Sequence, residues 1–161
     1  MSVLHPTAKR ANVGRAILVR LEGQVDGAEL IPPGDDRAPQ TTSGAFVRVT
    51  LASLPGQYAG RLEGLVVTRE GALVMVEVWH RGNQTEALAV VDAVDQLADT
   101  VAARLRYLDL PFVDYLGDGA TVAGAAIRAK EPPTVRPLDP IEGYQRRLVE
   151  VPIYWFSFHA R

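Results

Sequence analysis

Hydrophobic and polar positions along this chain follow two periods, and the switches between them predict its elements. Val13, Ile17, Leu18 and Leu21 recur at intervals of three and four, which predicts a short amphipathic helix from about Ala11 to Gln24, weakened by Gly14. Asp26 to Gly44 is poor in apolar residues and dense in Pro, Gly and acids, so it reads as a long loop. From Ala45 to Leu51 the period drops to two, with Val47, Val49 and Leu51 on one side and Phe46, Arg48 and Thr50 on the other. Leu54 to Gly60 holds Pro55, Gly56 and Gly60 and reads as a loop between strands. Leu65–Thr68 and Ala72–His80 are the arms of a predicted hairpin turning at Arg69, Glu70 and Gly71, where glycine tolerates positive φ. In its second arm Val74, Val76 and Val78 oppose Leu73, Met75, Glu77 and Trp79, so both faces are expected to be partly covered.

The longest helical pattern runs from about Thr85 to Leu108. Ala87, Val90, Val91, Val94, Leu97, Ala98, Val101, Leu105 and Leu108 make one apolar stripe, with Asn83 and Glu86 as a capping pair and Arg104 and Arg106 at the negative end of the dipole. Pro111 stops it. Phe112, Val113, Tyr115 and Leu116 form an apolar cluster in a connector before the turn Gly117, Asp118 and Gly119. Thr121–Arg128 is a short strand, Glu131–Gly143 a proline-rich loop, and Tyr144–Phe158 a long strand in which Pro152 implies a bulge or an edge. The order of elements predicts an α+β fold: a mixed, mostly antiparallel sheet of about five strands with one long helix and an N-terminal helix packed on it. Residues 1–161 are expected to form a single domain, with residues 1–10 a flexible tail.

Composition narrows the chemistry. The chain has 161 residues, 17 Lys and Arg against 19 Asp and Glu, a net charge of -2 and a 47% hydrophobic share, which suffices for a packed core. Near-neutral charge gives no overall basic bias toward DNA, and no apolar run approaches the roughly 20 residues of a membrane helix, so a soluble, unprocessed chain is expected. The absence of Cys removes disulfides, thiolate nucleophiles and Cys-containing zinc sites. No phosphate-binding loop is present, and Gly117, Gly119 and Gly124 have the wrong spacing for a dinucleotide fingerprint. His5, His80 and His159 have no second His at helical ligand spacing, and Ser43, Ser53 and Ser157 lack a nucleophile elbow. Asp92, Asp95 and Asp99 lie opposite the apolar stripe and read as a solvated face. Arg136, Arg146 and Arg147 suit phosphate or an acidic protein surface, but no basic patch interleaved with aromatics supports sequence-specific nucleic-acid binding. These readings predict no enzyme, no cofactor and no metal.

Together the strands Ala45–Leu51 (AFVRVTL) and Gly71–Trp79 (GALVMVEVW), the following HRGN turn, the long Ala- and Val-rich helix, the GATV strand at Gly119, the proline-rich loop and the closing strand Arg147–Phe156 (RLVEVPIYWF) resemble tail terminator, or tail completion, proteins of long-tailed bacteriophages. The likeness runs from about Ala45 to Phe158; the start before Ala11 and the acidic stretch from Asp26 to Gly44 fall outside it. The resemblance implies a minor tail or head–tail joining protein, a hexameric ring that caps the tail tube and meets the head connector or neck protein. Its location would be the head-proximal end of the virion tail, assembled in the host bacterial cytoplasm, with no membrane partner.

Within that expectation the loops Leu54–Gly60, Phe112–Gly119 and Glu131–Gly143 carry subunit or partner contacts, through Tyr58, Arg61, Phe112, Tyr115 and Arg136. An alternative from another class is a monomeric bacterial module that holds a small ligand between helix and sheet. A third is an enzyme whose Asp, Glu and His meet only on folding.

Overall fold

The alternating segments pair into one mixed sheet that carries two helices on a single face, an α+β arrangement. The computed structural model describes residues 10–25, 27–32, 44–81, 87–115 and 117–159. In chain order the elements are α1 (Arg10–Leu21), β1 (Glu29–Ile31), β2 (Ala45–Leu62), β3 (Leu65–Arg81), α2 (Ala87–Leu105), β4 (Asp109–Val113), β5 (Thr121–Ala129), β6 (Thr134–Ile141) and β7 (Tyr144–His159). The strands lie in the order β1-β2-β3-β7-β5-β4, and β6 joins the free side of β7 beside β5. Only β1 runs parallel to its neighbour; the other pairings are antiparallel. The expected capping pair Asn83 and Glu86, the expected tail, Leu116 and most of the acidic stretch lie outside the described residues.

Period-two patterning decides which face is closed. Val47, Val49, Val74, Val76, Val78, Val149, Val151 and Ile153 share one side and are each at most 1% exposed. Val13, Ile17 and Leu21 of α1 and Val94, Ala98, Val101 and Leu105 of α2 pack on that side and are fully buried. Each such Val or Leu contributes about 1.5–3 kcal/mol of transfer free energy. One polar contact ties α2 to the sheet and another ties α1 to α2. Arg147 Nε on β7 donates to Asp95 Oδ1 of α2 at 2.6 Å, and Arg20 Nε donates to the Arg104 carbonyl at the end of α2 at 3.0 Å. The helices end where the chain turns left-handed: α1 stops before Gly23 (φ 73°) rather than at Gln24, and α2 stops before Tyr107 (φ 56°) rather than at Leu108.

Among the described residues the sheet has seven strands, where the pattern predicted about five, and the differences have local causes. The β2–β3 hairpin turns at Glu63 and Gly64, both at positive φ (49° and 82°), as a two-residue hairpin loop requires. The expected turn at Arg69–Gly71 is therefore strand, and so is the expected loop Leu54–Gly60. Its breakers are absorbed as register shifts between Leu54 and Gln57 and between Tyr58 and Gly60. Glu142 and Gly143 repeat the same turn (48° and 83°) between β6 and β7, so most of the expected proline-rich loop is an edge strand, where proline's missing donor costs no ladder bond. The apolar connector around Phe112 is β4, and three residues of the acidic stretch form β1.

Pro152 makes no bulge against β3, whose register with β7 is uninterrupted. Its carbonyl accepts from Lys130 N at 2.8 Å, so its donor-free nitrogen faces the same side, where the partner of β7 changes from β6 to β5. Ile153, buried at the centre of the closed layer, provides a test. Ile153→Ala is expected to lower unfolding free energy by about 2–5 kcal/mol in urea titration, whereas Gly64→Ala, strained only by its backbone, should cost about 1–2 kcal/mol.

Candidate interaction surface

The opposite face of the sheet bears a different chemistry, and the register assembles it. Phe46 pairs with Trp79, Trp79 with Arg146, and Arg81 with Tyr144, so rings and guanidinium groups alternate across three strands. Phe46 and Trp79 stack at 4.9 Å between centroids with planes 21° apart, and Tyr144 stands edge-on to both at 5.6 and 5.7 Å. Arg146 lies 4.4 Å from the Trp79 centroid, while Arg48 and Arg81 lie 5.7 Å from those of Phe46 and Tyr144. Further along, Arg69 lies 4.3 Å from the centroid of Tyr154, which meets Phe156 edge-on at 6.0 Å. Such cation–π contacts are worth about 0.5–1 kcal/mol each where exposed, and they hold the guanidinium groups near the rings.

Charge on this face is unbalanced. Arg48, Arg69, Arg81, Arg128, Arg136 and Arg146 share it with Glu77, Asp109 and Glu150. Arg146 Nη2 donates to Glu77 Oε1 at 2.9 Å and Nη1 to the Asp139 carbonyl at 3.1 Å; Arg136 Nε donates to Glu150 Oε1 at 3.0 Å. Arg48, Arg69 and Arg81 have no carboxylate partner among the described residues. Arg48 Nε, Trp79 Nε1 and Arg146 Nε are also buried without an acceptor there. Each such donor typically costs about 1–3 kcal/mol, which the ring stacking and the Arg146 hydrogen bonds to Glu77 and Asp139 oppose. Both helices lie on the other face, and no described element covers this one.

On the outer side of α2 the sign reverses. Leu88, Asp92, Gln96 and Asp99 form one exposed stripe; Leu88 is 83% exposed, and neither Asp92 nor Asp99 has a basic partner among the described residues.

Of the five residues singled out from sequence, Tyr58 (70% exposed) and Arg61 lie on the distal half of the β2–β3 hairpin, and the exposed Tyr115 follows β4. The antiparallel registers place the β2–β3 and β4–β5 turns at the same end of the sheet. Arg136 lies elsewhere, on the open face. Phe112 differs from expectation: at 1% exposure it belongs to the core, where it joins the apolar layer under α1 and α2 instead of meeting a partner. Periodicity does not point to the aromatic and arginine cluster, although a signal for it is in the sequence: aromatic, any residue, arginine occurs at Phe46–Arg48, Trp79–Arg81 and Tyr144–Arg146.

A serine, a histidine and an acid do meet between β7 and β3. Ser157 Oγ donates to Glu70 Oε1 at 3.1 Å and lies 3.0 Å from His159 Nε2. The hydroxyl has one proton, and with Glu70 taking it His159 serves as a donor to Oγ. That order suits a structural network, because in nucleophilic catalysis the histidine takes the proton and the acid orients the histidine. Among the described residues no group of three or more His, Asp and Glu is arranged to hold a metal.

No protein-family model and no curated protein matches the chain. Among solved structures 21 chains match. One, a protein whose name states no activity, aligns over 98% of this chain and 99% of its own with a TM-score of 0.58 and 12% identity. That likeness shows the fold alone.

The cluster predicts an asymmetry in stability. Arg146→Met keeps the stem over Trp79 but removes the partner of Glu77, and should cost about 1–3 kcal/mol in chemical denaturation. Tyr58→Ser, at an exposed side chain, should stay within about 0.5 kcal/mol of the parent chain.

Proposed function

We propose that this chain is a structural subunit of a phage tail that forms a ring, most simply a hexamer, ending the tail tube and joining it to the head connector. The observation that carries the reading is the sheet's second face. A sheet normally closes both faces or leaves one polar. Here the uncovered face carries Trp79, Tyr144, Met75 and six arginines around a buried Phe46, side chains of the kinds enriched at the centres of protein interfaces. The AFVRVTL and RLVEVPIYWF strands and the order of elements give the reading its identity, because they are the features that resemble tail terminator proteins.

The shared end of the sheet that carries Tyr58, Arg61 and Tyr115 suits contact with the tube or the connector, since exposed aromatic and basic side chains gather there. The alternative of a small-ligand module has less support. The layer between helix and sheet, where its ligand would sit, is filled by Val94, Ala98 and Val101 against Val74, Val76 and Val149. The surface cavity of about 250 Å3 beside Leu54, Arg69, Lys130 and Tyr154 opens on the other face and is shallow.

Sedimentation or native mass measurement of the purified chain, followed by co-sedimentation with tail tubes, tests the reading. A ring mass and binding to tube ends are expected; a strict monomer that ignores tubes overturns it.

A further inference from the structure

Resting on the ring reading, we infer that the open sheet face of one subunit receives the outer side of α2 of the next, so that the ring is built head to tail from two different surfaces of the same chain. Three observations carry this inference. The two surfaces lie on opposite sides of the molecule: α2 packs on the valine side of the sheet and points Leu88, Asp92 and Asp99 away from it, while the arginine cluster points the other way.

Their charges are complementary. The sheet face presents Arg48, Arg69 and Arg81 without carboxylate partners among the described residues, and the helix presents Asp92 and Asp99 without basic ones. Docked carboxylates of Asp92 and Asp99, seven residues apart on one helix, would reach Arg48 and Arg81, whose guanidinium groups already lie near the Phe46 and Tyr144 rings and so lose less freedom on pairing. Leu88 at the start of the stripe supplies an apolar side chain for the half-buried Trp79 and Tyr144 rings.

Like surfaces repel. Two sheet faces brought together would oppose arginine to arginine, and two helix faces would oppose aspartate to aspartate, so a two-fold symmetric dimer through either surface is disfavoured. A contact between unlike surfaces repeats, and it closes a six-membered ring when each copy is turned by about 60° from the last.

Charge reversal with complementation tests this. One variant carries Arg48→Glu and Arg81→Glu, the other Asp92→Arg and Asp99→Arg; circular dichroism and thermal melting establish that each is folded. Because Arg48 is half-buried, Arg81→Glu alone, at an exposed side chain, serves as the milder form of the first. Each variant alone is expected to run at monomer mass under conditions where the parent chain forms the ring. An equimolar mixture should regain ring mass, because alternating subunits restore an attractive pair at every contact. Rings formed by either folded variant alone overturn the inference while leaving the ring reading intact, as does a mixture that stays monomeric. A monomeric parent chain overturns the ring reading itself, and the interface with it.

Discussion

The fold depends on one register, the sixteen residue pairs that join β3 to β7 from Val66–His159 to Arg81–Tyr144 without a break. Side chains alternate across a strand with period two, so a slip of one residue in either strand would turn its valines to solvent and its arginines toward the helices. The uninterrupted pairing sets Val74 opposite Val151 and Val76 opposite Val149, and thereby gives α2 an apolar bed. One pair further, Val78 faces Arg147, whose guanidinium reaches Asp95 and ties the helix down. The same parity gathers Trp79, Arg81, Tyr144 and Arg146 on the reverse side. Core and candidate surface are two results of a single constraint.

A net charge of -2 conceals this separation. Summed over the chain, acids and bases nearly cancel, yet the strands of the open face collect six arginines against three acids, and the charged residues on the middle turns of the outer side of α2 are all acids. Separated charge of this kind matters most where water is excluded, because screening is weak there and a guanidinium held on a ring gives up little freedom when it pairs. Arg147, at 13% side-chain exposure and bound to Asp95, shows the same chemistry used inside the molecule to hold helix to sheet.

Much of the fold was legible in the sequence because it rests on period. The stripe Val94, Ala98, Val101 and Leu105 and the alternation through Val149, Val151 and Ile153 each identify an element and its buried side. Turn chemistry was less legible. Both hairpins turn on a glutamate followed by a glycine, a weaker signal than asparagine or aspartate before glycine, while Pro55, Gly56, Gly60 and Gly71 are stronger breakers that the strands absorb. The edge strand β6 was hidden by its prolines, and β1 by its length of three residues. The candidate surface was legible only in part. Its three aromatic and arginine tripeptides are visible in the chain, but their convergence depends on strand order, which periodicity does not contain.

The edges of the sheet explain why a face, and not an edge, is the surface left for assembly. Free strand edges invite pairing with another chain unless they are short, bulged or interrupted by proline. Here β1 has three residues, β4 contains Pro111, and β6 contains Pro137 and Pro140. The stretch of β2 beyond the reach of β1 contains Pro55 and two register shifts. Every such edge therefore carries a feature that opposes strand addition, which would otherwise join copies in open-ended stacks. The arginines do the corresponding work on the open face, since they keep identical faces apart while leaving the half-buried Trp79 and Tyr144 to a surface of opposite charge. With edges blunted and like faces repelling, contact between unlike faces is the mode of association that the chain leaves open.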